Sequence, residues 1–150
     1  VGVLIFGAVA LLPALNASES IVIDGIFIST YIIVALATIF KFPYNIRVTA
    51  FLLSVYVLGI GELISLGILG DGLFYFIALV IFATMLVSPR AGSVSIAISI
   101  ITFIVIGWLM ISGRFAPLFT VVAPAKLADW FSASAALIMF GAVIIIGFKK

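Results

Sequence analysis

The chain contains no cysteine and no histidine, and each absence excludes chemistry. Without cysteine there is no thiolate to act as nucleophile or metal ligand. Without histidine there is no imidazole for zinc or for axial ligation of haem, and the commonest general base is missing. No cofactor, metal centre or catalytic residue is therefore expected. Charge is scarce too, at 8% of the 150 residues. The seven basic residues exceed the five acidic ones, but they are scattered over the whole chain and make no patch that could track a phosphate backbone. They read as topology signals, and nucleic acid is not an expected partner.

What is present is apolar. Hydrophobic residues make up 67% of the sequence and the mean hydropathy is +1.57. A water-soluble domain of this size could not bury so much apolar surface, so the lipid bilayer is the expected solvent. A helix crosses the hydrocarbon with roughly 20 residues. The expected fold is all-α, a single polytopic transmembrane helix bundle of about six spans over residues 1–150. The hydropathy pattern places them at 1–15, 21–40, 48–69, 73–87, 92–112 and 130–148. The runs are apolar on every face and do not alternate, which excludes strands. The first run begins at Val1 without a charged leader and reads as a trimmed span rather than a signal peptide. The fourth is short, about 22 Å by helical rise.

Local chemistry accounts for the breaks. Asn16 to Ser20 is polar, Lys41 to Asn45 contains Pro43, Gly70-Asp71-Gly72 is a turn, and Ser88-Pro89 is expected to stop a helix. The longest connection, Gly113 to Asp129, is expected at the membrane interface. Alternating the loops gathers Lys41, Arg47, Arg90, Lys149 and Lys150 on one side with no acid among them. Glu19, Asp24, Asp71 and Asp129 collect on the other side with Arg114 and Lys126. The positive-inside rule then puts the C-terminus in the cytoplasm, with the chain integral to the cell membrane. Trp108 and Trp130 fall toward the outer boundary, as members of an aromatic belt.

Few polar residues lie inside the spans. Glu62 stands about 10 Å inside the third, by helical rise, where a carboxyl must face protein or water rather than lipid. It is either a ligand, proton or ion contact or a carboxyl tying two helices together. Asp24 begins a stripe continued by Tyr31 and Thr38 at seven-residue intervals. Asp24, Tyr31, Glu62 and Arg114 are the candidate ligand or proton contacts, although Asp24 equally suits the positive end of a helix dipole. Gly59 and Ser65 beside Glu62, and Ser95, Ser99 and Thr102 on the fifth span, make small-residue faces suited to helix packing.

From Leu69 to Arg114 the chain carries Gly70-Asp71-Gly72 before a span, Arg90-Ala91-Gly92 after it, and a helix with Ser99 and Thr102 ending at Gly107-Trp108. This pattern resembles the N-terminal membrane region of bacterial and archaeal sensor histidine kinases, often hybrid kinases with PAS domains. Leu73, Val80 and Pro89 depart from it. The resemblance implies a sensory input domain whose last helix passes from Lys149 and Lys150 into cytoplasmic signalling domains beyond Lys150. It also implies a homodimer. The phospho-acceptor histidine and the nucleotide site would lie outside this sequence. Two other readings are compatible with the residues: a small transporter or substrate-binding component built around Glu62 and Asp24, and an accessory subunit of a larger membrane complex.

The missing cysteines make the orientation testable. In intact cells a membrane-impermeant maleimide should label an Asp71→Cys variant and should reach an Arg90→Cys variant only after lysis. The opposite pattern inverts the topology.

Overall fold

A computed structural model describes residues 21–40, 42–114 and 126–148. Among these there is no strand, and five α-helices and a 3₁₀ turn follow in order. They are α1 (Ile21–Ile39), α2 (Tyr44–Leu66), the 3₁₀ turn Gly67–Leu69, α3 (Gly72–Leu86), α4 (Pro89–Ile111) and α5 (Leu127–Gly147). Three of them, α2, α4 and α5, are long and apolar enough to cross a membrane, and the apolar stretches Asp24–Ile39 and Gly72–Leu86 are shorter. The expected span at 1–15 lies outside the described residues. The described helices thus bear out an all-helical membrane protein, three of whose helices are long and apolar enough to cross the bilayer.

Three helices, α2, α4 and α5, begin three or four residues earlier than hydropathy alone indicates, because polar and proline residues start them. The Ser88 hydroxyl oxygen accepts from the Ala91 N–H at 3.1 Å, and Pro89 occupies the first turn of α4, where its missing N–H costs nothing. Ser88-Pro89 therefore opens α4 as well as following α3. The Asp129 carboxylate accepts from the Lys126 N–H at 2.7 Å and starts α5 three residues before Trp130. Pro43 precedes α2, and its carbonyl accepts from Ile46 and Arg47. At the other end of α2, Gly67 takes a φ of 65°, the left-handed conformation that ends helices and suits glycine.

The chain forms two compact units, Val1–Leu58 and Gly59–Lys150. In the first, Thr30 and Ala37 of α1 and Val48, Ser54 and Val55 of α2 are buried. In the second, α3, α4 and α5 all pack against one another. The buried stripe of α3 is Phe76, Leu79, Val80, Ala83 and Thr84. That of α4 is Gly92, Ser99, Thr102, Phe103 and Gly107, and that of α5 is Trp130, Ala133, Leu137 and Gly141. These positions recur at helical spacing and so define one face per helix. The opposite faces carry Ile101, Ile104, Val143 and Ile146, all exposed, as lipid contact requires.

Because both faces are apolar, burial here is not a matter of removing hydrocarbon from water. Helices in lipid associate by close van der Waals packing, and small residues permit it. A Cβ on Gly59 would meet the Phe76 ring at 3.3 Å, one on Gly107 would meet the Trp130 ring at 2.9 Å, and one on Gly141 would collide with Ile96. Four buried hydroxyls donate within their own helices. Ser65 donates to the Gly61 carbonyl at 2.6 Å, Thr84 to Val80 at 2.7 Å, Ser99 to Ser95 at 2.7 Å and Thr102 to Ile98 at 2.9 Å. Polar side chains can thereby line a dry interface without an unpaired donor.

Gly141→Val should overpack the α4–α5 interface and cost about 1–3 kcal/mol, read by denaturation in detergent micelles. Gly147→Val is the control: nothing lies within 4 Å of the added carbon, and stability should be unchanged.

Candidate functional site

The C-terminal half of α4 and the N-terminal half of α5 do not close completely on each other. Gly107 presents bare backbone, and the indole of Trp130 lies against it. The indole is further held by Phe103, whose ring centroid is 5.9 Å away at an interplanar angle of 71°. Phe103 in turn meets Phe76 of α3 at 5.2 Å and 68°. These edge-to-face contacts contribute about 0.5–1.5 kcal/mol each beyond simple burial, and they join all three helices through one aromatic row. Trp130 is 5% exposed. Its Nε1 is buried and has no hydrogen-bond partner, and leaving a donor so costs about 1–3 kcal/mol.

Beside this row is a groove of about 250 Å³, walled by Phe103, Ile104, Gly107, Trp108, Ile111, Leu127, Trp130, Phe131 and Ser134. Its lining is almost entirely apolar. Trp108 is 57% exposed, and the Arg114 guanidinium sits 5.2 Å from its ring centroid, a cation–π contact. The two tryptophans are thus unlike. Trp108 has the exposed position expected of an aromatic belt, whereas Trp130 is a core residue, because Gly107 leaves room for an indole between the helices.

In the other unit, α1 and the first part of α2 flank a cavity of about 340 Å³ lined by Gly25, Ser29, Thr30, Leu53, Ser54 and Val57, among others. Thr30 and Ser54 are buried here.

The residues expected from sequence to make a ligand or proton site are distributed over both units. Asp24 and Tyr31 lie on α1, each half-buried and each engaged in an interaction of its own. Thr38, in the same stripe, is exposed and donates to the Val34 carbonyl at 2.8 Å. Glu62 is half-buried on α2, and Arg114 lies past the end of α4 over Trp108. Asp24 and Tyr31 belong to the first unit, Glu62 and Arg114 to the second. Of the small residues, Gly59, Ser65, Ser99 and Thr102 are buried and Ser95 half-buried. No group of acidic side chains among the described residues could hold a metal ion. The groove residues Phe103, Trp130 and Ser134 were not legible as a site. The available signal was the pairing of Gly107 with a tryptophan on the next helix, and only the helix register turns that into a contact.

The described residues thus form an all-helical membrane domain with apolar cavities. The chain belongs to the MASE11 family, whose model matches residues 1–149. MASE domains are membrane-associated sensory domains of signalling proteins. No curated protein and no solved structure matches the chain.

The difference between the tryptophans is measurable. In vesicles containing brominated phosphatidylcholine, a Trp130→Phe variant, emitting from Trp108, should be strongly quenched. A Trp108→Phe variant, emitting from the buried Trp130, should be quenched much less. Trp130→Ala should also destabilise the bundle by about 3–5 kcal/mol.

Proposed function

We propose that the chain is the sensory input domain of a histidine kinase-like signalling protein, embedded in the cell membrane by about six spans. A change in the packing of its last helix would be carried to output domains in the cytoplasm. The observation that carries this reading is the family match over residues 1–149. The Gly-Asp-Gly, Arg-Ala-Gly and Gly-Trp turns favour a kinase output. The excess of basic residues at Lys41, Arg47, Arg90, Lys149 and Lys150 favours a cytoplasmic C-terminus.

The architecture suits such a relay. Helix α5 is last in the described order and packs on both α3 and α4, so a shift in either partner reaches it directly. Its buried face carries Ala133, Leu137 and Gly141 with Trp130. Small steps of a helix along such a face keep it packed while changing what its end presents. Pairing of two copies through exposed apolar faces would let both last helices move together.

The complete gene product, reconstituted in vesicles, provides the test through its output activity. Ser99 is fully buried, and Ser99→Leu should wedge α4 away from its neighbours and change that activity roughly fivefold or more, the size of an ordinary allosteric coupling. A reading frame that encodes no output domain, or activity indifferent both to Ser99→Leu and to deletion of residues 1–150, rejects the proposal.

A further inference from the structure

We propose that the groove between the C-terminal half of α4 and the N-terminal half of α5 binds the flat, carbonyl-bearing headgroup of a lipid-soluble, quinone-like molecule, with the Trp130 Nε1–H as hydrogen-bond donor. As the cue for signalling, this ligand rests on the sensory reading above; its binding does not.

The argument begins with hydrogen-bond accounting. Among the described residues, Trp130 Nε1 is the one buried side-chain polar atom without a partner. Its neighbours in the same bundle do not share this condition, since Ser65, Thr84, Ser99 and Thr102 each donate to a carbonyl one turn back. Indole has no such local option, because its N–H cannot reach its own helix backbone and can only donate. Burial keeps bulk water from supplying an acceptor. Trp130 is also a lining residue of the groove, so a small shift of the indole toward a ligand oxygen there would satisfy the donor.

The groove narrows the chemistry further. Phe103, Trp108, Trp130 and Phe131 give it aromatic walls, which suit a planar ring. The half-buried Ser134 hydroxyl is a second possible partner for a ligand oxygen. No acidic residue lines the groove, so nothing there would hold an amine. At about 250 Å³ the space is below the ~300–1,000 Å³ of pockets that enclose a whole drug-sized molecule. It accommodates a headgroup whose tail remains in lipid. The cation, Arg114, stands over Trp108 and is not part of the lining. A carboxylate drawn to it would sit at the rim and leave the indole N–H unpaired, which favours a neutral carbonyl over a fatty acid.

Trp108 and Trp130 are the only tryptophans in the chain, and both line the groove, so intrinsic fluorescence reports on it directly. The intact chain in phosphatidylcholine nanodiscs would be titrated with 2-decyl-1,4-benzoquinone. Saturable quenching is expected, reversed by 4-decylacetophenone, which keeps the planar ring and carbonyl, and not by decylbenzene, which lacks the acceptor. Trp130→Phe, read through Trp108, should raise the half-saturating concentration about fivefold, the loss of one hydrogen bond. Ser134→Leu should fill the groove and leave only linear, collisional quenching, with helicity by circular dichroism unchanged. Quenching that is linear in the wild-type chain, reversal by decylbenzene as effective as by the ketone, or displacement by palmitate alone overturns the proposal. Saturable binding together with an indifferent output domain would leave the groove assignment standing and remove the sensory role. An output that responds to Ser99→Leu without quinone binding would do the reverse.

Discussion

Everything in the second unit depends on how closely helix backbones can approach in a solvent as apolar as their own side chains. Hydrocarbon gives two leucine-rich surfaces no reason to leave it for each other, so association relies on close contact and on hydrogen bonds kept out of lipid. Glycines supply the approach at Gly59, Gly92, Gly107 and Gly141, each with a neighbouring side chain where its own would be. One of these contacts, Gly107 against Trp130, also anchors the aromatic row that continues through Phe103 to Phe76. The same gap that admits the indole leaves its N–H without an acceptor and the groove beside it open.

Such an interface is suited to switching. Side chains packed at this density have few intermediate arrangements, so a wedge or a ligand moves a helix between discrete positions rather than deforming it smoothly. The hydroxyls of Thr84, Ser99 and Thr102 bond within their own helices, which means that sliding one helix past another breaks none of these bonds. These mechanical properties suit a membrane-associated sensory domain.

The helices and most of their ends were legible in the sequence, and the reasons are local. Long apolar runs, a proline at 43 or 89 and a glycine turn at 70–72 act over a few residues. Where reading the breaks fell short, capping was the cause: Ser88 and Asp129 recruit residues into helices that hydropathy alone would exclude. Spacing alone puts Gly59 with Ser65, and Ser95 with Ser99 and Thr102, on one side of a helix. The grouping of Asp24, Glu62 and Arg114 rests on no such local signal, because it requires residues on different helices to converge; Arg114 lies over the ring of Trp108.

The sequence by itself determined the solvent, the helical class and the absence of cysteine and histidine chemistry, since these follow from composition and from interactions within a few residues. Only the tertiary structure decided which face of each helix is inside. Helices that are apolar all round carry no hydropathic signal for that choice, so the difference between a lipid-facing Trp108 and a buried Trp130 arises from the registry of α5 on α4. That registry sets the indole on Gly107, and through it decides where the membrane domain keeps a hydrogen-bond donor in reserve.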